Sequence, residues 1–507
     1  MTVQRLTAEE AVALIADGDT VAISGGGYRV APEELLVALE ARARDGRGPR
    51  GLTAIAIAMI ERGRGGRGGA ATGLNHLAVP GMVSRVISGS YSRARESELS
   101  DAIHAGAIEA FNYPMGTIVQ WLRASAAGRP ALLTQVGIGT FIDPRLEGGV
   151  VNGPRENALC SLVDVAGETY LRYPALEVDI ALVKASAADE RGNLYLDREA
   201  FDHGIQDMAM AARRARGRVI AQVNRIVAVG DLHPRFGRVP GVMVDAVVVS
   251  PDAWEDEQDP VLTGDDHSQL PAVSSRREPR DVIADLAVDR IATGSMVNLG
   301  AGIPMYDVPE AARRRGRDDL YFTVEQGPMG GWPQVGGVSR HPEMIWPQLD
   351  VFDFYEGGGP DVSVLSFGQV GASGDVNVSR FAGMMPGCGG FPNIVHGARR
   401  LIFCGTLTTG GLDSSVADGR LIVTSDGRID RFVETVEQIT FSADRARAIG
   451  QTVKIVTERA VFELDDSGLL LTDIAPGIEL ERHVLERIPF PVRVAPDLKT
   501  LPSRFYR

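Results

Sequence analysis

Short apolar runs that end in glycine recur along this chain, and they constrain its fold more than any other feature. The run TVAIS at 20–24 leads into Gly25–Gly27, and SMVNLG at 295–300 leads into an Ala-Gly pair. Because a strand buried on both faces is a nearly continuous apolar run, these segments indicate central strands of parallel sheets. Helical segments alternate with them, so the predicted fold class is α/β, with two related open domains and mainly parallel sheets.

The composition excludes several classes of protein. With 507 residues, 44% of them hydrophobic, the chain can bury a large core, and its net charge of −14 provides no basic footprint for nucleic acid. The three cysteines, Cys160, Cys388 and Cys404, lack C-x-x-C spacing, which predicts neither a disulfide framework nor a metal site. We find no basic-then-apolar leader and no apolar run long enough to span a bilayer, so the protein is expected in the cytoplasm without membrane contact.

Two segments of the first half echo segments of the second half in the same order. Such internal similarity predicts two α/β halves of common ancestry. The echoes are Ile15, Gly18 and Val21 with Ile291, Gly294 and Val297, offset by 276 positions, and ALVKASAADERGNLYL at 181–196 with SVLSFGQVGASGDVNV at 363–378, offset by 182.

The boundary between the halves is predicted from an acidic, proline-containing segment that has no apolar periodicity. We therefore expect a first domain at 1–251, a linker at 252–278, and a second domain at 279–507. The glycine- and arginine-rich tract at 63–70 is a single short segment in an acidic protein, which favours a loop over an RNA-binding element.

Four glycine clusters at strand ends are candidates for ligand contacts. Without a Cβ atom, glycine lets backbone N–H groups approach a phosphate or a developing oxyanion closely. Tight turns alone are the alternative explanation for each cluster. Neither a P-loop nor a correctly placed G-x-G-x-x-G is present, so a nucleotide-binding fold is not predicted. The clusters are Gly25–Gly27, Gly300 with Gly302, Gly357–Gly359, and Gly387 with Gly389 and Gly390.

Glu325 is the strongest candidate for chemistry. It follows the β-like run YFTV and precedes Gly-Pro and two further glycines. A carboxylate at a strand end beside unblocked backbone N–H groups can act as a nucleophile or general base. A solvated acidic residue before a turn is the alternative that this pattern leaves open.

A series of longer motifs, in a fixed order, resembles family I coenzyme A transferases of the fused propionate/acetate type. The resemblance covers nearly the whole chain and is tightest in the second half. The motifs are AEEAVALIADGDTVAISG, GLNH, VGIGTFIDPR and ADERGNL in the first half, then Glu325 with its glycine run, FDFYEGGGPDVSVLSF, GDVNVSRF, PGCGGFPNI, FCGTLTTGGL, VEQITF and IAPGIEL.

The resemblance implies reversible transfer of CoA from an acyl-CoA to a free carboxylic acid. Glu325 matches the catalytic glutamate of the family, which forms a glutamyl-CoA thioester in a ping-pong cycle. No metal or other cofactor is implied, since the CoA thioester is itself a substrate. The resemblance further implies an active site in a cleft between the domains and a homo-oligomer, often a tetramer.

The other site residues are expected by matching motifs. Met115 stands where the family usually has a glutamine, and Trp332 where a small aliphatic residue is usual, which predicts a more apolar pocket for an acid larger than acetate. The remaining expected residues are Gly389 and Gly390 as oxyanion donors, Gly26 beside the substrate, and Gly302, Gly357, Gly358, Gly359 and Asn377 toward CoA.

Three alternatives to the transferase remain. An acyl-CoA hydrolase on the same scaffold would pass the acyl group to water at Glu325, and would not depend on an acceptor acid. A sugar-phosphate isomerase on a related fold would not bind CoA. A non-catalytic CoA-binding sensor would bind CoA without releasing thiol.

Overall fold

The computed structural model describes residues 3–26, 29–58, 72–91, 97–250, 277–334 and 336–507. It contains two compact units. The first comprises the described residues of Met1–Asp266 together with Ile345–Asp353 and Met384–Asn393, and the second comprises the rest. The predicted linker at 252–278 lies almost entirely outside the described residues, as does the glycine- and arginine-rich tract. The predicted domain boundaries stay a prediction.

The first unit is built on a mainly parallel sheet with the order β1-β13-β11-β9-β2-β3-β4-β5, and a small antiparallel sheet is formed by β6, β8 and β7. Its strands are β1 Gln4–Arg5, β2 Thr20–Ile23, β3 Leu52–Ala56, β4 Val83–Ser88, β5 Glu109–Asn112, β6 Ala131–Thr134, β7 Ser161–Val165, β8 Glu168–Pro174, β9 Ile180–Asp189, β10 Leu194–Tyr195, β11 Arg218–Val227, β12 Gly237–Val239 and β13 Ala246–Val249. Its helices are α1 Ala8–Val12, α2 Glu33–Arg44, α3 Glu98–His104, α4 Met115–Ala126 and α5 Ile205–Arg214.

Local sequence explains how these elements begin and pack. Thr7 and Glu10 form a reciprocal capping box that starts α1. Helix α2 buries the apolar stripe of Leu35, Leu36 and Leu39 in the same core as strand β2. The central strand β9 is buried along its whole length, as expected for a parallel strand that is covered on both faces.

The second unit has a larger mixed sheet with the order β19-β16-β15-β14-β20-β23-β29-β30-β31-β32. The strands from β15 to β29 in this order are parallel. The elements of the second half of the chain are α6 Pro279–Asp289, β14 Met296–Leu299, α7 Ile303–Arg314, β15 Tyr321–Thr323, β16 Pro328–Met329, β17 Trp332–Gln334, β18 Val338–Arg340, β19 Met344–Ile345, α8 Gln348–Glu356, β20 Val362–Ser366, β21 Gln369–Gly371, β22 Val376–Asn377, α9 Phe391–Gly397, β23 Arg400–Cys404, β24 Thr408–Thr409, β25 Asp413–Ala417, β26 Arg420–Ser425, β27 Ile429–Asp430, β28 Phe432–Val433, α10 Ala443–Ala448, β29 Thr452–Val456, β30 Ala460–Asp465, β31 Gly468–Ile474, α11 Leu480–His483 and β32 Arg493–Thr500.

The two sheets repeat one another in strand order and in register, as the sequence echoes predict. The order β13-β11-β9-β2-β3 in the first unit matches β29-β23-β20-β14-β15 in the second. Val21 pairs with Ile180, and their echoes Val297 and Val362 pair in the same way. The predicted α/β fold with mainly parallel sheets is confirmed. In the described part of the chain, every helix is too short or too polar to cross a bilayer.

Candidate active site

Glu325 lies in a tight turn directly after strand β15. Val324 donates its N–H to the carbonyl oxygen of Pro328 at 3.2 Å, and Gly327 donates its N–H to the carbonyl oxygen of Val324 at 3.2 Å. Gly327 has a φ of 139°, a conformation that favours glycine. The Glu325 side chain is half-buried. The turn therefore holds a carboxylate at the strand end and leaves it accessible.

The neighbouring side chain orients this carboxylate. Gln326 Nε2 donates to Glu325 Oε1 at 3.1 Å. The Gln326 side chain fits there because residue 337 is a glycine, and a Cβ at Gly337 would lie 2.2 Å from Gln326 Cδ. This hydrogen bond from a neutral amide fixes the position of one carboxylate oxygen of Glu325.

Gly302 lies on the same edge of the second sheet as Glu325. Strands β14 and β15 are parallel neighbours, so the residues that follow them meet at one edge. Gly302 has a φ of 93° and precedes helix α7, and a Cβ at this position would lie 2.6 Å from Ser366 Oγ. The position thus requires glycine, and its backbone can be approached closely.

Gly357, Gly358 and Gly359 lie at the opposite edge, since they precede strand β20. The N–H of Gly358 donates to the carbonyl oxygen of Tyr355 at 3.0 Å, and that of Gly359 to Phe354 at 2.9 Å. These bonds end helix α8. The three glycines therefore lie at the edge of the second sheet opposite to the edge that holds Glu325. Their expected contact with CoA stays a prediction.

Asn377 is fully buried, and its side chain amide is engaged within the protein. Its Nδ2 donates to Gln369 Oε1 at 2.7 Å and to the carbonyl oxygen of Arg380 at 2.6 Å, while its Oδ1 accepts from Ser379 N–H at 3.0 Å. These bonds hold a turn, which leaves the side chain without capacity for CoA.

Within the first unit, the segment 384–393 packs on the carboxyl ends of strands β4 and β5. Asn112 Nδ2 donates to the carbonyl oxygens of Ser88 and Gly89 at 2.9 and 2.8 Å, and its Oδ1 accepts from Cys388 N–H at 2.9 Å. Gly387 has no room for a side chain, because a Cβ would lie 2.7 Å from Ser90 Cα. One buried asparagine therefore fixes the glycine-rich segment on the sheet edge.

The two expected oxyanion donors differ in how their N–H groups are used. Gly389 donates its N–H to the carbonyl oxygen of Gly89 at 2.7 Å, so that donor is already occupied. Within the described part of the chain, the N–H of Gly390 donates to no backbone carbonyl. The N–H of Gly390 therefore stays the predicted oxyanion donor.

Met115 begins helix α4 beside this segment. Its N–H donates to the carbonyl oxygen of Gly389 at 3.0 Å, and the next N–H, of Gly116, donates to Asn393 Oδ1 at 3.0 Å. The Met115 side chain is buried and lies over Gly89, where a Cβ would approach Met115 Cγ to 2.6 Å. The Met115 thioether thus borders the predicted oxyanion segment, at the position where the resemblance implies a glutamine amide.

Gly26 follows strand β2 at the same carboxyl edge of the first sheet. Its N–H and its carbonyl oxygen are both bonded to Arg29, at 3.1 Å each, so it supplies no oxyanion donor. A Cβ there would lie 2.1 Å from His203 Cε1. Burial lowers the pKa of His203 to about 3, so the packed ring is neutral.

Trp332 lies in the β17–β18 hairpin, and the guanidinium of Arg313 lies 5.1 Å from its ring centroid. This cation–π contact accounts for the tryptophan as a packing residue. Cys388 is also a packed side chain, 3% exposed, and its thiol donates to the carbonyl oxygens of Gly89 and Gly389 at 3.8 and 3.6 Å. Met115 alone then supports the expectation of a more apolar pocket.

Sequence reasoning missed the two asparagines that assemble the edge of the first sheet. Asn112 and Asn393 contact partners that lie 276 and 277 positions away in the chain. Asn112 lies three residues before Met115, and Asn393 lies in the motif PGCGGFPNI, so both occur beside residues that were singled out for other reasons. Their closeness to those residues in the sequence is the one signal that could have indicated them.

Comparisons with known proteins establish the family of this chain. The sequence profile of the family "Coenzyme A transferase" matches residues 5–250. Acetate CoA-transferase YdiF of Escherichia coli O157:H7 is 36% identical over 99% of this chain and 94% of its own length. The chain belongs to the coenzyme A transferase family.

Further relatives of this CoA-transferase support the same assignment. Caffeate CoA-transferase of Acetobacterium woodii is 33% identical over 99% of this chain and 97% of its own. The crystal structure of the YdiF apoenzyme from E. coli O157:H7 superposes with a TM-score of 0.91 at 35% identity, covering 100% of this chain and 96% of that one. A YdiF thioester complex with CoA superposes with a TM-score of 0.90. The predicted CoA transfer between an acyl-CoA and a carboxylate is confirmed, and the hydrolase, isomerase and sensor alternatives are not favoured.

Proposed function

We propose that this CoA-transferase carries CoA covalently on Glu325. The Glu325 carboxylate attacks the thioester carbonyl of the acyl-CoA, the C–S bond breaks, and CoA leaves as a thiolate with an acyl-glutamyl anhydride behind it. The thiolate then attacks the glutamyl carbonyl and releases the donor as a free carboxylate. The acceptor carboxylate attacks the resulting glutamyl-CoA, and the thiolate returns to the new acyl group, which frees Glu325.

The observation that carries this proposal is the geometry of Glu325. A half-buried carboxylate follows strand β15, accepts one hydrogen bond from Gln326, and shares a sheet edge with the glycine-rich exit at Gly302. Gly302 is the residue that we assign to the CoA side of this edge. The arrangement supplies an oriented nucleophile with backbone exposed beside it.

Each tetrahedral intermediate requires fixed donors for its negative oxygen. We assign this role to the N–H of Gly390, because the neighbouring N–H of Gly389 is bonded to Gly89. The carbonyl oxygen of Gly389 accepts from Met115 N–H, which fixes the plane of the peptide that presents the Gly390 N–H.

The acid that this enzyme prefers is proposed to be larger and more apolar than acetate. Met115 places a buried thioether beside the oxyanion segment, and a thioether donates no hydrogen bond. The named relatives act on acids as different as acetate and caffeate, so the scaffold accommodates a range of acyl groups. Acceptor acids of increasing chain length test this assignment, and a strict preference for acetate contradicts it.

Three further properties are part of the proposal. The cycle uses no metal or prosthetic group, because the energy of the thioester is retained in glutamyl-CoA. The enzyme is proposed to act in the cytoplasm, in keeping with three buried cysteines that remain thiols. It is proposed to work as a homo-oligomer, a tetramer by resemblance to its family.

Kinetics of the isolated half-reaction tests the covalent cycle. With acyl-CoA and no acceptor acid, the enzyme should release one equivalent of donor carboxylate per site and then stop, and initial rates with both substrates varied should give parallel double-reciprocal lines. Glu325→Ala serves as the control and should release nothing. Continuous release of donor acid without acceptor would support hydrolysis instead.

A further inference from the structure

A row of polar side chains crosses the second sheet beneath Glu325. Thr323, two residues before Glu325 on strand β15, pairs in register with Asn298 on β14, and Asn298 pairs with Ser363 on β20. All three are completely buried. Paired residues of parallel strands point to the same face, so the row forms a continuous strip of a hydroxyl, an amide and a hydroxyl.

Tyr355 of helix α8 packs on this row. Its hydroxyl donates to Thr323 Oγ1 at 2.8 Å, and the side chain is 1% exposed. Burial raises the pKa of Tyr355, the nearby Thr323 and Asn298 side chains partly offset the rise, and the charge of Glu325 raises it further. The phenol therefore stays protonated as a hydrogen-bond donor, and it lies within electrostatic reach of Glu325.

The first sheet provides an internal control for the row. At the equivalent register, Ile55 on β3 pairs with Ala22 on β2, which pairs with Ala181 on β9. These three side chains are buried to the same extent as the polar ones. The first sheet thus has apolar side chains at the three positions where the second sheet has polar ones. In the first sheet the position equivalent to Glu325 is occupied by Ile57.

The polar row also carries a cost that packing does not explain. The hydroxyl of Ser363 makes no hydrogen bond of standard geometry with any described residue. The side chain of Asn298 lies near the Tyr355 hydroxyl and lowers the pKa of that tyrosine as a hydrogen-bond partner. Buried polar groups with few such bonds are unfavourable compared with the alanines that the first sheet uses. The second sheet thus keeps polar side chains next to the end of β15, where the first sheet has apolar ones.

We propose that Tyr355 is a positioning residue for Glu325, acting through Thr323, with Asn298 and Ser363 completing the polar platform. This inference rests on the proposed covalent role of Glu325. The Tyr355 hydroxyl ties helix α8 to the end of β15, and this fixes the turn from which the Glu325 carboxylate reaches the thioester. A small displacement of a nucleophile costs reaction rate far more than it costs substrate binding.

The test compares two tyrosines of the same unit. Tyr355→Phe removes the hydroxyl beneath Glu325, and Tyr506→Phe removes an equally buried hydroxyl that donates to the carbonyl oxygen of Glu458 at 3.2 Å. We expect Tyr355→Phe to lower kcat and the rate of glutamyl-CoA formation by about 10-fold, with KM for acyl-CoA changed by less than about 2-fold. Tyr506→Phe should leave all three values unchanged.

Rescue by a conservative variant separates positioning from packing. Thr323→Val should reproduce the loss seen in Tyr355→Phe, Thr323→Ser should retain most of the wild-type rate, and combining Tyr355→Phe with Thr323→Val should add little. Equal kinetics for Tyr355→Phe and Tyr506→Phe, with wild type still forming the adduct at Glu325, would overturn this inference alone. Failure of wild type to form the adduct would overturn the proposed function beneath it.

Discussion

The two sheets of this CoA-transferase share a strand order and a register but differ in the residue that comes after the equivalent strands β3 and β15. After β3 the first sheet continues with Ile57, which is fully buried, and after β15 the second continues with Glu325, which is half-buried in a glycine turn. Both strands pair in parallel, and in the equivalent register, with the strand on one side, β2 or β14, so on that side the difference is one of chemistry. On the other side β3 pairs with the parallel strand β4, whereas β15 pairs with the antiparallel strand β16. One repeated strand arrangement thus carries the proposed nucleophile in one copy and a core residue in the other.

A second difference concerns the glycines that follow the equivalent strands β2 and β14. Gly26 packs on the neutral ring of His203, and both of its backbone groups are bonded to Arg29. Gly302 lies against the small hydroxyl of Ser366 and begins helix α7. The first glycine serves close packing, whereas the second leaves a strand exit open beside Glu325.

The largest expected effect on activity comes from replacing Glu325, the proposed nucleophile. Glu325→Gln keeps the size of the side chain but removes its charge, and we expect kcat/KM to fall by about 10⁴-fold or more. Steady-state assays with several acyl-CoAs provide the measurement, and thermal unfolding should show a preserved fold. Retention of substantial transfer activity in Glu325→Gln would contradict the assignment.

Alanine substitutions at the equivalent positions Gly26 and Gly302 should distinguish the roles of these two glycines. Gly26→Ala forces a Cβ into the His203 ring and should lower the free energy of unfolding by about 1–3 kcal/mol. Gly302→Ala has the unfavourable φ of 93° and should cost about 1–3 kcal/mol of stability, and it should also reduce activity.

Urea denaturation and the KM for acyl-CoA separate the two glycine variants. Only Gly302→Ala should raise KM after correction for the folded fraction. An equal rise in both variants would contradict an open strand exit at Gly302.

Met115→Gln should change the preference of the enzyme among acceptor acids. A glutamine amide would donate a hydrogen bond where the thioether cannot, and we expect kcat/KM for acetate to rise about 5- to 10-fold relative to a longer acid. Met115→Leu is the matched control, since it keeps an apolar side chain and should leave the ratio unchanged. If Met115→Gln and Met115→Leu behave alike, Met115 has no part in the choice of acid.

The smallest expected effect concerns His76, which lies between Glu33 and Glu40 in the first unit. Burial alone would lower the pKa of His76, but hydrogen bonds and charges from the two carboxylates outweigh it, so the pKa is raised. A raised folded-state pKa stabilises the protein below the unfolded value of about 6.5, and this contribution is lost as pH rises through the folded value.

The free energy of unfolding, compared between wild type and His76→Gln, should therefore differ more at pH about 6 than at about 9. A difference that is independent of pH would mean that the pKa of His76 is the same in the folded and unfolded states, and would contradict the raised value.

Much of the fold was predictable because it depends on local pattern. The echoes at Val21 and Val297 predicted two related α/β halves, and the run before Glu325 predicted a strand that ends in a carboxylate. The site residues whose roles the sequence could not resolve depend on long-range contacts. Gly389 was indistinguishable from Gly390 in sequence, and only the bond to Gly89 separates them.

Other site residues eluded the sequence for the same reason. Gly357–Gly359 end a helix at the amino edge of the sheet, a position that spacing cannot distinguish from the carboxyl edge. Asn377 appeared as a polar residue in a motif, but its amide is fully used within a turn. Tyr355 lies inside the motif FDFYEGGGPDVSVLSF, and only the hydrogen bond from its hydroxyl to Thr323 distinguishes it from the neighbouring residues.

Peptide mapping of the enzyme after incubation with acyl-CoA identifies the residue that carries CoA during the reaction. The reaction is trapped with borohydride, digested, and analysed by mass spectrometry, with Glu325→Ala as the control. We expect a CoA adduct, or the alcohol left by its reduction, on Glu325 and on no other residue. Modification at a different carboxylate, or turnover without any adduct at Glu325, would contradict this expectation.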